Sequence, residues 1–297
     1  MQPILPALLL FMLNTASIAP AAATPASPPG RFLNVDGHQV HLLCAGRGAP
    51  AVILEAGLGG SSFDWSEVLP AVSQFTQVCA YDRAGYGYSE LGHPPRTGER
   101  IAAELHELML QAEIPAPYVL VGHSFGGYVV RLFASQHPDE IAGMVLVDAS
   151  HEDQFERFEA AGLPLRRMNP TMMTSGVSLP ASMPEAVRNQ ALPLSESANA
   201  IVTLQNETAY FQRSAQQVRT AAPGRRIPVT VLTRGRRVWP ATEQGERLER
   251  TWEELQRDLF LRIGSRQVVA RESGHYIQFD QPEMVVDAIA NIVDQAR

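Results

Sequence analysis

Tyr118-Val119-Leu120-Val121-Gly122-His123-Ser124-Phe125-Gly126-Gly127 is the stretch on which the reading of this chain turns. Tyr118 to Val121 is a short apolar run closed by glycine, the pattern of a buried strand. Phe125 to Gln136 follows with helical character and stops at His137-Pro138. Between them, Gly122-His123-Ser124-Phe125-Gly126 fits G-x-S-x-G. A serine on such a sharp strand-to-helix turn is held in strained backbone geometry with its hydroxyl exposed. The helix that starts there aims the positive end of its dipole at the turn and favours negative charge on a developing oxyanion. Ser124 is therefore the expected nucleophile.

Outward from this turn the chain alternates strands and helices. Arg31–Val35 and His38–Cys44 flank Asp36-Gly37, which supplies the positive φ angles of a tight hairpin turn. Ala51–Glu55 reads as a buried strand running into Gly57-Leu58-Gly59-Gly60. Ser62–Phe75 has helical spacing, and Gln77–Tyr81 reads as a strand. Thr97 can cap a helix that runs to about Ile114. Downstream, Ala142–Val147 reads as a strand that ends in Asp148. The alternation pauses over about 151–226, a segment with Met168, Met172, Met173 and Met183, several prolines and no strand pattern, read as a helical cap insertion. It resumes with a strand at Ile227–Thr233, a helix at Gly245–Ile263, a strand at Arg266–Ala270 and a closing helix at Pro282–Gln295. That rhythm predicts an α/β fold with a mostly parallel central sheet flanked by helices.

With Ser124 in this context, the chain resembles the serine-nucleophile branch of the α/β-hydrolase superfamily, the branch with a GHSFGG-type turn. The resemblance covers nearly everything from Arg31 onward apart from the cap. Its second marker is Tyr81-Asp82-Arg83-Ala84-Gly85-Tyr86-Gly87-Tyr88-Ser89, similar to the family's D-x-R-G-x-G-x-S loop. Its third is Ser273-Gly274-His275 after the last strand. The resemblance implies a Ser-acid-His order along the chain and makes His275 the base. Of the other seven histidines, His38, His41, His93, His106 and His137 read as surface or structural residues. His123 adjoins the nucleophile but points elsewhere, and His151 stands where the cap begins.

Most members of the family carry the acid just after the seventh strand. Here that strand ends Thr233-Arg234-Gly235-Arg236-Arg237, and no carboxylate appears until Glu243. Asp148, at the end of the sixth strand, is the first choice; Glu243 or another acid in 243–258 is the alternative. The resemblance nominates the N–H groups of Leu58 and Phe125 as the oxyanion hole. It also makes the second and fourth strands neighbours, which implies a Cys44–Cys79 disulfide.

The remaining composition narrows the function classes. The 297 residues carry a formal net charge of −7, so there is no basic footprint for nucleic acid or an anionic membrane. Ile4–Leu13 is an apolar run too short to span a bilayer, and no charged residue precedes Arg31. With Ala21-Ala22-Ala23 as a cleavage site, 1–23 reads as a signal peptide and 24–30 as a linker, the alternative being an uncleaved tail or anchor. The mature protein is then secreted or periplasmic, with no membrane span after cleavage. No H-E-x-x-H, Cys/His ligand cluster, P-loop or dinucleotide fingerprint is present, so neither metal nor cofactor is expected. The expected activity is cleavage of a small carboxylic ester or amide through an acyl-enzyme. A cofactor-free perhydrolase and a non-catalytic ligand-binding protein of the same fold are the alternatives.

Overall fold

The structure is a computed structural model that describes residues 28–163, 179–222, 226–263 and 266–297. The expected signal peptide, most of the linker, and Met168, Met172 and Met173 of the cap lie outside the described residues.

Eight strands form one sheet: β1 (Arg31–Val35), β2 (His38–Ala45), β3 (Ala51–Glu55), β4 (Val78–Tyr81), β5 (Tyr118–His123), β6 (Ile141–Val147), β7 (Val229–Arg234) and β8 (Arg266–Ala270). Their spatial order is β1-β2-β4-β3-β5-β6-β7-β8. The β1–β2 and β2–β4 pairs are antiparallel, and every other pair is parallel. Asp36 (φ 49°) and Gly37 (φ 83°) make the turn between β1 and β2. Cys44 and Cys79 face each other in the β2–β4 register and are joined by a disulfide.

The strands β3 and β5 are buried along their length, and apolar through Leu54 and Val121, because both sheet faces are covered. Ile53 and Leu120 face helices α2 (Gly98–Gln111) and α3 (Gly126–Gln136), where Ile101, Leu105, Val129 and Phe133 complete one core. Val52, Leu54, Val119 and Val121 face the other way, onto Trp65, Val68 and the closing helix through Val285, Ile289 and Ile292. Each such side chain contributes roughly 1.5–3 kcal/mol when fully withdrawn from water. Helix α2 starts as its sequence indicates, with the Thr97 hydroxyl accepting from the Arg100 N–H.

One element differs from expectation. Ser62–Phe75 is not a single helix but a 3-10 turn at Ser62–Trp65 followed by the one-turn helix α1 (Leu69–Val72). Pro70 has no N–H to give to an i−4 carbonyl, so no continuous ladder runs through it; the Ser62 N–H at the start of the turn donates to the Asp82 carboxylate at 2.7 Å. Between β6 and β7 the described residues are helical: α4 (Gln154–Ala160), α5 (Glu185–Ser195), α6 (Ala198–Ala209) and α7 (Phe211–Thr220). Three helices follow β7: α8 (Glu243–Ile263), α9 (Ile277–Asp280) and α10 (Pro282–Ala296). Among the described residues no helix is long and apolar enough to cross a membrane.

Candidate active site

Ser124 joins β5 to α3 with φ at 50°, the left-handed region that costs a residue with a Cβ. Three hydrogen bonds hold it there. Its N–H donates to the Val147 carbonyl at 3.1 Å, and its own carbonyl accepts from the N–H groups of Gly127 and Ser150, both at 2.9 Å. The turn closes this tightly because Gly126 has no side chain: a Cβ there would stand 2.6 Å from the carbonyl oxygens of both Glu55 and Ala56. Gly57 does the same from the opposite loop, where a Cβ would lie 2.8 Å from His123 Nδ1 and 3.3 Å from Ser124 Cβ. The loop after β3 therefore passes directly against the serine.

Asp148 follows β6, is fully buried, and also has a positive φ, at 40°. Its Oδ2 accepts from His275 Nδ1 at 2.6 Å and from Arg234 Nη1 at 3.2 Å. Its Oδ1 accepts from Trp252 Nε1 at 2.9 Å and from the Arg234 N–H at 3.2 Å. Burial by itself would raise this carboxyl. The hydrogen bond and charge of His275, the Arg234 guanidinium and the Trp252 N–H outweigh it and hold the carboxyl below its ordinary value. Ionised, Asp148 only accepts, so Nδ1 of His275 carries the proton and Nε2 is left with its lone pair.

His275 stands in the loop after β8 with its side chain 31% exposed, open to a ligand on one side. His123, the residue before the serine, donates from Nε2 to the His275 carbonyl at 3.0 Å, and the two rings lie 4.7 Å apart. Burial, and then the neighbouring His275, push the His123 imidazole down to about 3, so it remains neutral. Trp252 and Tyr276 stand edge-on to the His275 ring at 6.0 and 5.5 Å.

Two of the alternative acids, Glu243 and Glu249, bond other partners. Glu243 sits in the first turn of α8 with its side chain 90% exposed and pairs with Arg247. Glu249 bonds Arg234 Nη2 at 2.9 Å and the N–H groups of Val238 and Trp239. The structure thus brings Asp148 and His275 together beside the serine turn. It also adds two residues that sequence reading missed, Arg234 and Trp252. The signal for Arg234 was present in the basic end of β7, where a carboxylate was sought. Trp252 lies 104 residues beyond Asp148 and left no local trace.

The N–H groups of Leu58 and Phe125 have no acceptor among the described residues. That of Phe125 belongs to the unpaired first turn of α3. Two groups of side chains elsewhere have metal-ligand character, His106/His137/Glu140 and His151/Asp153/Asp258. In the first, the imidazoles stack 3.7 Å apart at 14°, and lone pairs in nearly parallel planes do not converge on one ion. In the second, Asp153 and Asp258 are already bonded to Arg157, Arg219 and Arg262. Neither arrangement resembles a metal centre.

Comparison with known proteins agrees with this architecture. The chain is 27% identical over 250 residues to the uncharacterized protein YqjL of Bacillus subtilis, covering 83% of this chain and 85% of that one. With two other curated relatives the match covers 84% and 54% of this chain and 40% and 50% of theirs. A malate-bound thermophilic esterase from Thermogutta terrifontis superposes with a TM-score of 0.62 at 22% identity, over 90% of this chain and 98% of that one. The epoxide hydrolase CorEH without ligand gives 0.66 at 17% identity, over 90% and 99%. At such identities the shared property is the fold. A family model described as the alpha/beta hydrolase fold matches residues 50–226, from the start of β3 through the cap. Sheet order, serine turn and family match lead to one conclusion: the chain belongs to the α/β-hydrolase fold family.

Proposed function

We propose that the protein is a serine hydrolase that cleaves a small carboxylic ester, or a small amide, through an acyl-enzyme. The observation that carries this reading is the 2.6 Å hydrogen bond from His275 Nδ1 to the buried Asp148 carboxylate, next to a serine held at φ 50°. Ser124 Oγ attacks the substrate carbonyl carbon while His275 Nε2 takes its proton. The resulting imidazolium is stabilised by Asp148 and returns the proton to the leaving alcohol or amine. Water, deprotonated by the same imidazole, then attacks the acyl carbon and releases the acid and Ser124. The N–H groups of Leu58 and Phe125 bind the oxyanion in both halves, each such donor being worth roughly 10²–10³ in rate. A serine at position 124 does not suit the aspartate-nucleophile chemistry of epoxide hydrolases.

The Cys44–Cys79 disulfide fits an oxidising compartment, which supports the further proposal that 1–23 is a signal peptide and the mature protein is secreted or periplasmic.

Intact-mass spectrometry after treatment with a fluorophosphonate tests the reaction, because the probe needs an activated serine and no knowledge of the substrate. One adduct on the wild type and none on Ser124→Ala is expected. A folded wild type that takes no adduct would overturn the hydrolase reading in favour of a ligand-binding role.

A further inference from the structure

Arg83 lies in the turn after β4 with its side chain 1% exposed. A guanidinium has five N–H bonds, and here every one has an acceptor. Nε donates to Glu207 Oε1 at 2.9 Å. Nη1 donates to Glu55 Oε1 at 2.6 Å and to the Ala56 carbonyl at 2.7 Å. Nη2 donates to the Gly57 carbonyl at 2.7 Å and to Glu207 Oε2 at 3.1 Å. Glu207 comes from cap helix α6, 124 residues along the chain, and it also accepts from the Tyr86 hydroxyl at 3.1 Å. The Arg83 guanidinium carbon lies 5.6 Å from the centre of the Phe125 ring. One cation thus bonds the carbonyl of the Gly57–Leu58 peptide, whose N–H is one candidate oxyanion donor, and lies over the ring of Phe125, whose N–H is the other.

The carbonyls it holds are the informative part. Gly57–Leu58 is a trans peptide, and in a trans peptide the C=O and N–H point in opposite directions. With the Gly57 oxygen turned onto Arg83, and also accepting from the Gly60 N–H at 3.1 Å, the Leu58 N–H is turned away from the guanidinium. It finds no acceptor there among the described residues, while a side chain on the neighbouring Gly57 would run into the His123 ring and Ser124 Cβ.

We propose that Arg83, braced by the cap carboxylate Glu207, is a positioning residue that orients the loop after β3 so that the Leu58 N–H serves as an oxyanion donor. The inference rests on the serine-hydrolase reading of Ser124. It makes donor geometry depend on cap docking, because the carboxylate that fixes Arg83 belongs to the insertion between β6 and β7. Arginine suits this task and lysine does not: a single ammonium has three donors on one nitrogen and cannot bridge two carbonyls and two carboxylates.

The test compares the wild type with Arg83→Lys, Glu207→Ala and the near-isosteric Glu207→Gln. It uses p-nitrophenyl acetate turnover per fluorophosphonate-labelled site, the Ki of a trifluoromethyl ketone that forms a tetrahedral adduct on the serine, and thermal melting. Arg83→Lys is expected to lower kcat about 10- to 100-fold with KM within about twofold, approaching the loss of one oxyanion donor. The ketone Ki should rise by the same factor. Glu207→Ala should follow Arg83→Lys, and Glu207→Gln should recover most of the rate. Variants that melt earlier yet keep wild-type kcat and Ki per labelled site would overturn the proposal, since a purely structural brace predicts that result. If Arg83→Lys does not fold, the Glu207 pair decides alone: equal kcat and Ki in Glu207→Ala and wild type overturns it. A wild type that neither labels nor turns over ester overturns the hydrolase reading itself, and this inference with it.

Discussion

Two buried clusters of nearly the same composition lie by the serine turn. In one, Arg234 stands between Asp148 and Glu249, with Trp239 and Trp252 at 4.9 and 5.0 Å from its guanidinium carbon. In the other, Arg83 stands between Glu55 and Glu207, with the hydroxyls of Tyr81 and Tyr86 on the two carboxylates. Each has one guanidinium, two carboxylates and two aromatic side chains, yet their outlets differ. Arg234 leaves its Nε unpartnered, and its partner Asp148 turns an oxygen to the half-exposed His275. Arg83 spends every N–H and gives two of them to backbone carbonyls. The same set of groups thus holds a partly exposed imidazole in one place and a peptide plane in the other. Whether a buried ion cluster bears on chemistry or on shape is decided by what its last hydrogen bond reaches.

The largest expected effect is at the open cluster. Asp148→Asn keeps the volume and the acceptor for Trp252 but no longer holds the imidazolium or its tautomer. It should lower kcat on an activated ester by roughly 10³–10⁴-fold. Arg234 keeps Glu249 as counter-charge, so the melting temperature should move little. A variant that loses its fold along with its rate would place Asp148 in the structural class with Glu55 and erase the contrast.

The two clusters were unequally legible in the sequence. The open one could be read because its parts sit at strand ends: Ser124 after β5, Asp148 after β6 and His275 after β8. Each strand could be recognised from apolar runs and flanking glycines, and ligands collect at the carboxyl edge of such sheets. Where β7 ends in Arg234, a search for a carboxylate met its counter-ion, and only the fold shows that the cation serves the carboxylate one strand away. The sealed cluster was half visible. Arg83 stood in the loop after β4 as a mark of the fold, but nothing in the local pattern pairs it with a glutamate 124 residues on. Helix α6 shows Glu207 as one polar residue among others, and its burial depends on how the cap docks. The split of Ser62–Phe75 has a local reason: helical spacing of the apolar residues does not record that Pro70 interrupts the ladder.

The second effect, in stability, lies in the sealed cluster. Arg83→Met strips the one cation that, among the described residues, bonds Glu55 and Glu207, and leaves two buried carboxylates and two carbonyls without it. Breaking such a buried pair costs roughly 3–5 kcal/mol, to be read from denaturant midpoints. Arg234→Met should cost clearly less, because Asp148 keeps donors from His275, Trp252 and the backbone N–H of residue 234. Equal losses would mean that the two clusters do not differ in how completely their charges depend on one arginine.

A pH-dependent effect follows at Asp64, a carboxyl buried in the 3-10 turn beside Gly60. Burial pushes it up to about 7, and the nearby Arg83 charge only partly offsets that. Its folded value lies above its unfolded one, so the neutral form is favoured by folding. Stability is thus lost as pH rises from the ordinary carboxylate range through about 7. Asp64→Asn, which cannot ionise, should gain melting temperature relative to wild type at pH 8.5 and gain little at pH 4.5. The reverse order would mean that Arg83 dominates its surroundings.

The smallest expected effect is the most discriminating for the open cluster. Trp252→Phe removes one N–H donor, at 2.9 Å from Asp148 Oδ1, and leaves the His275–Asp148 bond in place. The Asp148 carboxyl then moves up toward its ordinary value. Its ionisation contributes stability above the unfolded value and loses it as pH falls through the folded one, so the variant should be less stable near pH 7 by about 1–2 kcal/mol. The deficit should shrink as pH falls below the carboxylate range. Activity should drop less than about tenfold, because a donor to the far oxygen supports the carboxylate without touching the base. A loss of rate as large as that of Asp148→Asn would mean that the indole N–H, rather than the His275 bond, fixes the carboxylate for catalysis. The open cluster would then work as the sealed one does, by holding geometry.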